Sequence, residues 1–325
     1  MESVKVESQE KMGEFSFIRR FFAPLAGKTA WNLGDDAAAL PPLSSESCFV
    51  VSVDNLAEGV HFFPEDSPRR VAQKLLRRNL SDMVAMGAVP RGYFLSLAFN
   101  PENLDVEEWF EAFQQGLASD QEKYALSLLG GDTTRIKGGI FLSITIVGEV
   151  HQKGILRRNG AQIGDELWVT GTIGNSALGL LCREGKISDS DNIFAESYLL
   201  PNPPVKFLVG DIASAGIDIS DGLLQDLEHI AEQSQVGISV DILDIPLLPQ
   251  AQPYFETHPD IILEGGDDYQ LLFTINPKNK ARMMARAEAE NIQVTCIGEV
   301  IQGKGLFLKN TEGKNLSGKG GWRHF

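Results

Sequence analysis

The chain has 325 residues, a formal net charge of −15 and a hydrophobic fraction of 43%. This length suits about two domains of ordinary size. The acidic balance argues against a nucleic-acid surface, which needs clustered Lys and Arg to meet the phosphate backbone. No apolar run approaches the roughly 20 residues of a membrane helix, and the N-terminal sequence MESVKVESQEKMGEF lacks an apolar signal core. We therefore expect a cytoplasmic protein that binds neither nucleic acid nor a membrane.

The three cysteines, Cys48, Cys182 and Cys296, are widely separated and form no CxxC pair. An odd number at this spacing argues against a disulfide framework or a zinc site. We expect buried or half-buried thiols.

The first acidic motif is NLGDDAAALPP, in which Asp36 precedes a stretch of small residues. The run 48–53 that follows is β-branched and apolar, which predicts a buried strand. Asp54 then falls at the C-terminal end of this strand, where ligand-binding groups collect in α/β sheets. Because side chains alternate along a strand, Ser52 and Asp54 should point to the same face.

The segment SPRRVAQKLLRRNLSDMVAMGAVP predicts a helix that begins after Ser67 and Pro68 and ends at Gly87. With about 100° of rotation per residue, Asn79 and Asp82 lie on a largely apolar flank of this helix. An unpaired carboxylate there would be costly. Asp82 should therefore have a partner, and a metal ion is one candidate.

Strands and helices alternate through the rest of the first half. The periodicity predicts strands at 93–100, 125–134 and 138–150 and an amphipathic helix at 106–124. The second of these strands runs into Gly130, Gly131 and Asp132. Such alternation is typical of an α/β domain with acids at the strand ends.

The character of the sequence changes around 151–165, which is basic and then rich in glycine. We place a domain boundary here, between an N-terminal domain at 1–150 and a C-terminal domain at 151–325. In the second domain we predict a strand at 166–170, a glycine-rich turn at 171–179 and helices on either side of LPNPPVKF.

The segment GIDISDGLLQDL contains three aspartates in apolar surroundings. The pattern predicts a short strand at 215–219 and a helix from Leu223 onward. Asp218 ends the strand and needs no helix cap, whereas Asp221 is either an N-cap or a ligand. Asp226 lies within the helix and is interpreted as structural, so its replacement by Asn should matter little for chemistry.

A last motif, LEGGDDYQLLFTI, places Asp267 and Asp268 before a strand predicted at 269–275. The motifs of several enzyme classes do not occur: the sequence has no GxxxxGK[ST], no GxGxxG that opens a helix after a strand, no HExxH and no nucleophile elbow at DISDG. What remains is a set of carboxylates at the ends of predicted elements, Asp36, Asp54, Asp82, Asp132, Asp218 and Asp221.

Oxygen ligands of this kind suit Mg²⁺, which is commonly held by one or two carboxylates together with substrate phosphates. Several such ions could screen a polyphosphate that an acidic protein would otherwise repel. The pattern favours a nucleotide-dependent phosphoryl-transfer enzyme without a P-loop. A sensor, a hydrolase and a set of merely structural turns remain alternatives.

The order of the motifs adds a family resemblance. In chain order they are GDDAA, SVDNLAEGVHF, NLSDMVAMGAVP, GGDTT, RRNGAQIGD, VTGTIGNSALGL, IDISDGLLQDL and GGDDYQLLFT. Over roughly residues 13 to 325 the chain thereby resembles the thiamine-monophosphate kinase family, within the superfamily of aminoimidazole ribonucleotide synthetase-like enzymes.

This resemblance implies that ATP is the co-substrate and that its γ-phosphoryl group passes directly to thiamine monophosphate, with several Mg²⁺ ions as cofactors. It also implies mixed sheets of an α/β (α+β) fold in two domains, with the N-terminal sheets of two copies paired into a barrel-like homodimer. Two other interpretations stay open: an ATP-dependent ligase-type member of the superfamily, and a non-enzymatic protein that binds a nucleotide or divalent ions.

The resemblance also carries site residues, position by position. The family's metal-binding positions correspond to Asp36, Ser52, Val53 (through its backbone carbonyl), Asp54, Asp82, Asp132, Asp218 and Asp221, of which Asp82, Asp218 and Asp221 are also its catalytic residues. The nucleotide-binding positions correspond to Gly131, Asp132, Arg158 and Ser220. The positions that bind the acceptor substrate correspond to His61, Asp267 and Trp322.

The sequence departs from the family pattern at several of its motifs. Val53 and Asn55 stand where relatives often have Thr, and Asn175 replaces an Asp. Asp267 and Gln270 each replace a Glu, so the carboxylate of Asp267 reaches about one methylene less far.

Overall fold

The computed structural model describes residues 38–42, 46–100 and 102–310. Two of the predicted site residues, Asp36 and Trp322, lie outside the described residues, and their roles stay predictions. Within the described part, none of the helices has both the length and the apolar character that a membrane span requires.

The described residues of the first half form a five-stranded mixed sheet in the order β1-β2-β5-β3-β4. Its strands are β1 (Ala38–Pro42), β2 (Ser47–Ala57), β3 (Val89–Phe99), β4 (Leu128–Arg135) and β5 (Phe141–His151). The pair β3 and β4 is parallel, and the other neighbours are antiparallel. The predicted alternation of strands and helices therefore occurs in a mostly antiparallel sheet.

Two long helices accompany this sheet, α1 (Pro68–Ala85) and α2 (Val106–Tyr124). The apolar side chains of α1, such as Leu76 and Leu80, are fully buried and share one core with those of the sheet, such as Ile144. Pro68 occupies the first turn of α1, where its missing N–H costs no hydrogen bond. Both helices begin at the predicted positions, because caps and periodicity agree there.

Strand β2 of this sheet is longer than predicted, whereas β4 (Leu128–Arg135) lies close to the strand predicted at 125–134. Strand β2 continues to Ala57, so Asp54 lies within the strand and not at its end. Gly131 and Asp132 are also internal to a strand, since they pair with Leu95 and Ser96 of β3. A Cβ atom on Gly131 would lie 1.9 Å from the carbonyl oxygen of Leu95, which excludes any larger residue at this position.

In the second half, the residues up to 310 form a six-stranded sheet in the order β11-β8-β10-β6-β9-β7. Its strands are β6 (Glu166–Thr170), β7 (Ala213–Asp218), β8 (Gly237–Asp241), β9 (Leu271–Ile275), β10 (Val294–Ile301) and β11 (Gly305–Lys309). Only β11 and β8 form a parallel pair among these neighbours. The mixed sheets confirm the predicted fold class, and no closed barrel is formed by the described part of the chain.

The second half has six α-helices up to residue 310, where the described part ends. They are α3 (Asn175–Arg183), α4 (Ile193–Leu199), α5 (Leu223–Ser234), α6 (Gln252–Thr257), α7 (Pro259–Glu264) and α8 (Lys280–Ala289). The turn predicted at 171–179 is wrong in its second half, because α3 begins at Asn175. The helix predicted after LPNPPVKF is also wrong: residues 200–212 consist of turns and irregular structure. Strand β7 begins at Ala213, only a few residues after Phe207, so the chain has no room for a helix between them.

The two halves meet closely along α1. Val84 of α1 packs in a buried cluster with Trp168 of β6 and Phe207. Glycine permits this approach: a Cβ atom on Gly210 would lie only 1.7 Å from the carbonyl oxygen of Gly154. Helix α1 thus presents side chains both to its own sheet and to the second one, and the candidate site lies at this junction.

Candidate active site

A cavity of about 920 Å³ lies where the two halves meet. Its walls come from β2 and α1 of the first half and from α3, α7 and the loops around β7 and β9 of the second. Among the predicted site residues, the structure brings seven to this cavity: Asp54, His61, Asp82, Asp218, Ser220, Asp221 and Asp267. They span more than 200 positions of the sequence, so only the tertiary fold assembles them.

Asp82 and Asp218 are each held by a serine hydroxyl. Ser52 Oγ donates to Asp82 Oδ2 at 2.5 Å, which links β2 to α1. Ser81 Oγ donates to Asp218 Oδ2 at 2.7 Å, which links α1 to β7 across the junction. The sequence predicted a partner for Asp82, and Ser52 is such a partner. Each hydrogen bond fixes one oxygen of its carboxylate and thereby the orientation of the whole carboxylate group.

Asp54 faces the same helix from β2. Its backbone N–H donates to Asn79 Oδ1 at 3.1 Å, and its carboxylate lies 3.7 Å from Arg78 Nε. Since Ser52 also contacts α1, the prediction that Ser52 and Asp54 share one face of the strand is confirmed. Val53, between them, is 57% exposed on the opposite face.

The DISDG loop is organised by Asp226. One oxygen of this buried carboxylate accepts the backbone N–H groups of Ser220, Asp221 and Gly222, at 3.1, 3.2 and 3.2 Å. The residue that precedes α5 is Gly222, with a φ of 126°, so the N-cap interpretation of Asp221 is wrong. Asp221 instead accepts Gln225 Nε2 at 2.9 Å and lines the cavity. The position of Asp221 thus depends on Asp226.

A second loop, 264–270, packs directly on the first. Asp267 N–H donates to the carbonyl oxygen of Ser220 at 2.9 Å, and Tyr269 N–H donates to that of Ile219 at 2.8 Å. Both Asp267 and Tyr269 have positive φ, at 69° and 51°. Gly266 is required here, because a Cβ atom would lie 2.2 Å from the carbonyl oxygen of Ser220.

Asp267 belongs to a buried charge network. Lys74 Nζ lies 3.1 Å from Asp267 Oδ2, and the Tyr269 hydroxyl donates to Asp267 Oδ1 at 2.7 Å. Although burial opposes ionisation of Asp267, the cations of Lys74 and Arg78 hold its pKa well below the usual range. Burial lowers the pKa of Lys74, and Asp267 partly restores it. The same ammonium lies 3.5 Å from the centre of the Tyr198 ring.

His61 closes a turn at the cavity wall. Its Nδ1 accepts the N–H of Ala57 at 3.0 Å. Its carbonyl oxygen accepts both Lys74 Nζ and the Tyr198 hydroxyl, each at 3.1 Å. The segment around His61 is thereby tied to the network of Asp267, which places the two residues predicted to bind the acceptor in one region.

Five of the predicted residues in the described part do not line this cavity, and two of them, Ser52 and Val53, directly precede Asp54 on β2. Gly131 and Asp132 are on β4 at the edge of the first sheet, where Asp132 is exposed. Arg158 is in the connection before β6, and its carbonyl oxygen accepts Ser234 Oγ at 2.7 Å. Within one copy of the chain, the predicted nucleotide-binding residues are therefore divided, because Ser220 alone of them lines the cavity.

The charge of the cavity wall is strongly negative. Eight carboxylates line it, Asp54, Asp82, Glu184, Asp218, Asp221, Asp260, Glu264 and Asp267. Arg78 is the one Arg or Lys among the described lining residues. A phosphate-bearing ligand would be repelled unless cations accompany it. This donor set is made of hard oxygen ligands and fits Mg²⁺.

The acids are spaced apart rather than gathered into one cage. In the described part, the only trio of potential ligands whose atoms lie within 4.8 Å of one another is Asp221, Asp226 and His229. Asp54, Asp82 and Asp218 would each supply one or two ligands to an ion. This spacing suits Mg²⁺, which usually completes its shell with water and substrate phosphates.

Sequence reasoning missed Lys74, Arg78 and Tyr198 as site residues and underrated Asp226. Lys74 and Arg78 stand in the run KLLRR, which is typical of a solvated helix face, yet Lys74 is 1% exposed. The spacing held a signal: Arg78 lies four residues before Asp82, which places both side chains on one side of α1.

Comparisons with known proteins identify relatives over nearly the whole chain. The family models of the AIR synthase related protein match residues 34–150 with the N-terminal domain and residues 162–309 with the C-terminal domain. The thiamine-monophosphate kinase of Caulobacter vibrioides is 37% identical over 321 residues, covering 96% of this chain and 90% of the relative. That of Haemophilus influenzae is 37% identical over 329 residues, covering 97% and 98%.

Solved structures give the same result. The structure of AaThiL complexed with AMPPCP and TMP is 31% identical, has a TM-score of 0.83 and covers 99% of this chain and 100% of that one. The thiamine-monophosphate kinase of Stenotrophomonas maltophilia K279a is 36% identical, with a TM-score of 0.76 and coverage of 85% and 90%. The similarity in sequence and fold spans nearly the whole chain, and the chain therefore belongs to the thiamine-monophosphate kinase family of phosphotransferases.

Proposed function

We propose that this protein transfers the γ-phosphoryl group of ATP directly to the phosphate of thiamine monophosphate, which yields thiamine diphosphate and ADP. The family assignment supports the reaction class, and the AaThiL complex with AMPPCP and TMP supports the pair of substrates. The proposal adds an in-line transfer assisted by several Mg²⁺ ions, without a phosphoenzyme.

The observation that carries the proposal is the cavity itself. It places four aspartates, Asp54, Asp82, Asp218 and Asp221, on walls contributed by both halves of the chain. Phosphoryl transfer needs positioning and charge neutralisation more than covalent chemistry. An acidic cavity of this kind can hold cations at fixed points.

In this proposal Asp36, Asp54, Asp82, Asp132, Asp218 and Asp221 hold the ions, together with Ser52 and the backbone carbonyl of Val53. Bound Mg²⁺ would neutralise the phosphates and polarise the transferred group. Ser52 fixes one oxygen of Asp82, and Ser81 fixes one oxygen of Asp218. The other oxygen of each carboxylate is therefore oriented before any ligand binds. Such preorganisation lowers the cost of ordering in the transition state.

The acceptor would lie toward Asp267 and His61. This part of the cavity also has apolar walls, to which Phe62, Phe63 and Leu180 contribute. A flat cationic heterocycle suits aromatic surfaces of this kind, and Trp322 is our further candidate for stacking. Asp267 supplies a fixed negative charge beside the ring cation, because Lys74 and Tyr269 hold its two oxygens.

We further propose a homodimer that joins the first sheets of two copies. Several apolar side chains on that sheet are exposed, including Val53 at 57%, Leu129 at 52% and Phe94 at 43%. Exposed apolar surface of this extent marks an interaction site. In a dimer, Gly131, Asp132 and Arg158 could join Ser220 around the nucleotide. Light scattering at micromolar concentration tests this, and a monomer would contradict it.

The reaction itself is tested by incubation of the purified protein with ATP, Mg²⁺ and thiamine monophosphate. We expect thiamine diphosphate and ADP in equal amounts by chromatography, and neither when Mg²⁺ is removed by a chelator. ADP without thiamine diphosphate would indicate a different acceptor, and the absence of both would contradict the proposal.

The metal assignment has its own test. Asp82→Asn and Asp218→Asn preserve shape and the serine contacts but remove charge, so we expect turnover to fall by about 10²-fold or more with unchanged thermal unfolding. Titration of Mg²⁺ should show weaker binding in both variants. Wild-type turnover in either variant would contradict the role of that residue.

A further inference from the structure

Arg78 differs from the other cations of α1 in its surroundings. It lines the cavity, its side chain is only 12% exposed, and it lies one helical turn before Asp82. By contrast, Arg70 forms a partly exposed ion pair with Glu196, and Arg77 forms a buried pair with Asp120. Within the described residues, the ion pair of Arg78 is the looser contact with Asp54, whose carboxylate lies 3.7 Å from Nε.

Two of the three guanidinium nitrogens of Arg78 also lack a hydrogen-bond acceptor in the described part of the chain. These are Nε and Nη1, and both atoms are buried. The other close neighbour is the ring of Tyr269, whose centroid lies 5.7 Å from Cζ. A buried donor without an acceptor is costly. A ligand oxygen that reached this group would remove that cost.

The charge of Arg78 is permanent. Burial opposes it, but the phenol of Tyr269 and the carboxylates of Asp54, Asp267 and Asp82 raise the pKa of the guanidinium. With these neighbours, Arg78 lies between two regions of the cavity. Asp54 and Asp82 belong to the proposed metal side, and Asp267 and Tyr269 to the proposed acceptor side.

We propose that Arg78 binds the phosphate group of the acceptor substrate. This inference rests on the proposed function. A planar guanidinium with free donors matches phosphate oxygens, and its position between Asp54 and Asp267 is where the acceptor's phosphate must meet the transferred group. Arg78 reduces the repulsion between two phosphates that approach each other, and it fixes the acceptor for in-line attack.

Paired ligands test the inference in the full-length protein. Affinities for thiamine monophosphate and for thiamine, which lacks the phosphate, are measured by calorimetry with Mg²⁺ present for the wild type, Arg78→Met and Arg78→Lys. Arg70→Met, on the exposed side of the same helix, serves as the control. We expect Arg78→Met to weaken binding of thiamine monophosphate by roughly 10- to 100-fold and to leave thiamine affinity unchanged. Arg78→Lys should recover part of the loss.

Each outcome of these measurements either supports or overturns the role of Arg78. An equal loss for both ligands would make Arg78 merely structural, and unchanged affinity in both Arg78 variants would show that the phosphate does not contact it. If circular dichroism shows that Arg78→Met is not folded, Arg78→Lys is used for the same comparison. Lysine cannot make the bidentate contact of the guanidinium, so wild-type affinity of Arg78→Lys for thiamine monophosphate would then overturn the inference. Turnover of the wild type is measured separately, so its failure identifies a failure of the proposed function.

Discussion

The replacement of Asp226 tests how the DISDG loop is held. Asp226 is 2% exposed, and one of its oxygens accepts three consecutive backbone N–H groups. In Asp226→Ala these three donors lose their acceptor at the start of α5. The loop carries Ser220 and Asp221 into the cavity, so a change in its path displaces both residues.

The magnitude follows from the hydrogen bonds. A hydrogen bond to a charged group contributes about 1.5–3 kcal/mol, and bonds that share one acceptor are not additive. We expect Asp226→Ala to lower the free energy of unfolding by about 3–5 kcal/mol. Asp226→Asn keeps an acceptor oxygen but loses the charge, so about 1–2 kcal/mol is expected. These contacts agree with the interpretation of Asp226 as structural, and the expectation that Asp226→Asn matters little for chemistry stays a prediction.

The assay combines urea unfolding with turnover of thiamine monophosphate. Turnover should fall by about 10²-fold in Asp226→Ala even under conditions where the variant is folded, because a displacement of about 1 Å at a reacting group has this effect. Glu232→Gln, at an exposed position of α5, is the matched control and should behave as the wild type.

One result would refute the reasoning. If Asp226→Ala loses less than about 1 kcal/mol and retains wild-type turnover, the backbone of Ser220, Asp221 and Gly222 is held by other contacts. The loop's geometry would then not depend on this carboxylate.

Three other changes have expected outcomes. The guanidinium of Arg77 donates to both oxygens of Asp120, which is 0% exposed, at 2.7 and 2.9 Å. Because Arg77→Met leaves this buried carboxylate without that partner, urea unfolding should show a free energy of unfolding lower by about 3–5 kcal/mol. An unchanged free energy of unfolding would show that Asp120 finds another donor. Gly266→Ala inserts a methyl group against the Ser220 carbonyl, and a lower melting temperature with reduced turnover is expected, whereas an unchanged crystal structure of the variant would contradict the close contact. Lys74 and Arg78 depress the pKa of Asp267 in the folded protein, so the contribution of its carboxylate to stability is complete above about pH 4 and is lost as the pH falls through the folded pKa. Asp267→Asn should therefore be less stable than the wild type at pH 7 and closer to it at pH 3. A difference in unfolding free energy that widens in acid would contradict this reasoning.

Local sequence signals predicted the elements well where caps and periodicity agreed. The helix expected at 106–124 is α2, and the one that follows Pro68 is α1. The failures have a local cause too. The glycines of 171–179 suggested a turn, but Gly174 with its φ of 82° ends the turn, and α3 begins one residue later.

The motifs also predicted which acids meet. Asp82 was expected to have a partner because a carboxylate on an apolar helix flank is costly alone, and Ser52 supplies it. Asp218 was expected at the end of a strand and is the last residue of β7. The order and chemistry of these motifs are properties of the sequence, and they were sufficient to identify the family.

Other properties arise only from the packing of the two halves. The KLLRR run is charged in sequence, yet Lys74 is buried against Asp267 and the Tyr198 ring, and Arg78 turns into an acidic cavity. Periodicity reports how often a side chain returns to one face of a helix, but it does not report what that face meets. The family and the acidic motifs were determined by the sequence alone, whereas the partner of each charge was decided by the tertiary structure, because those partners lie up to about 190 positions away along the chain.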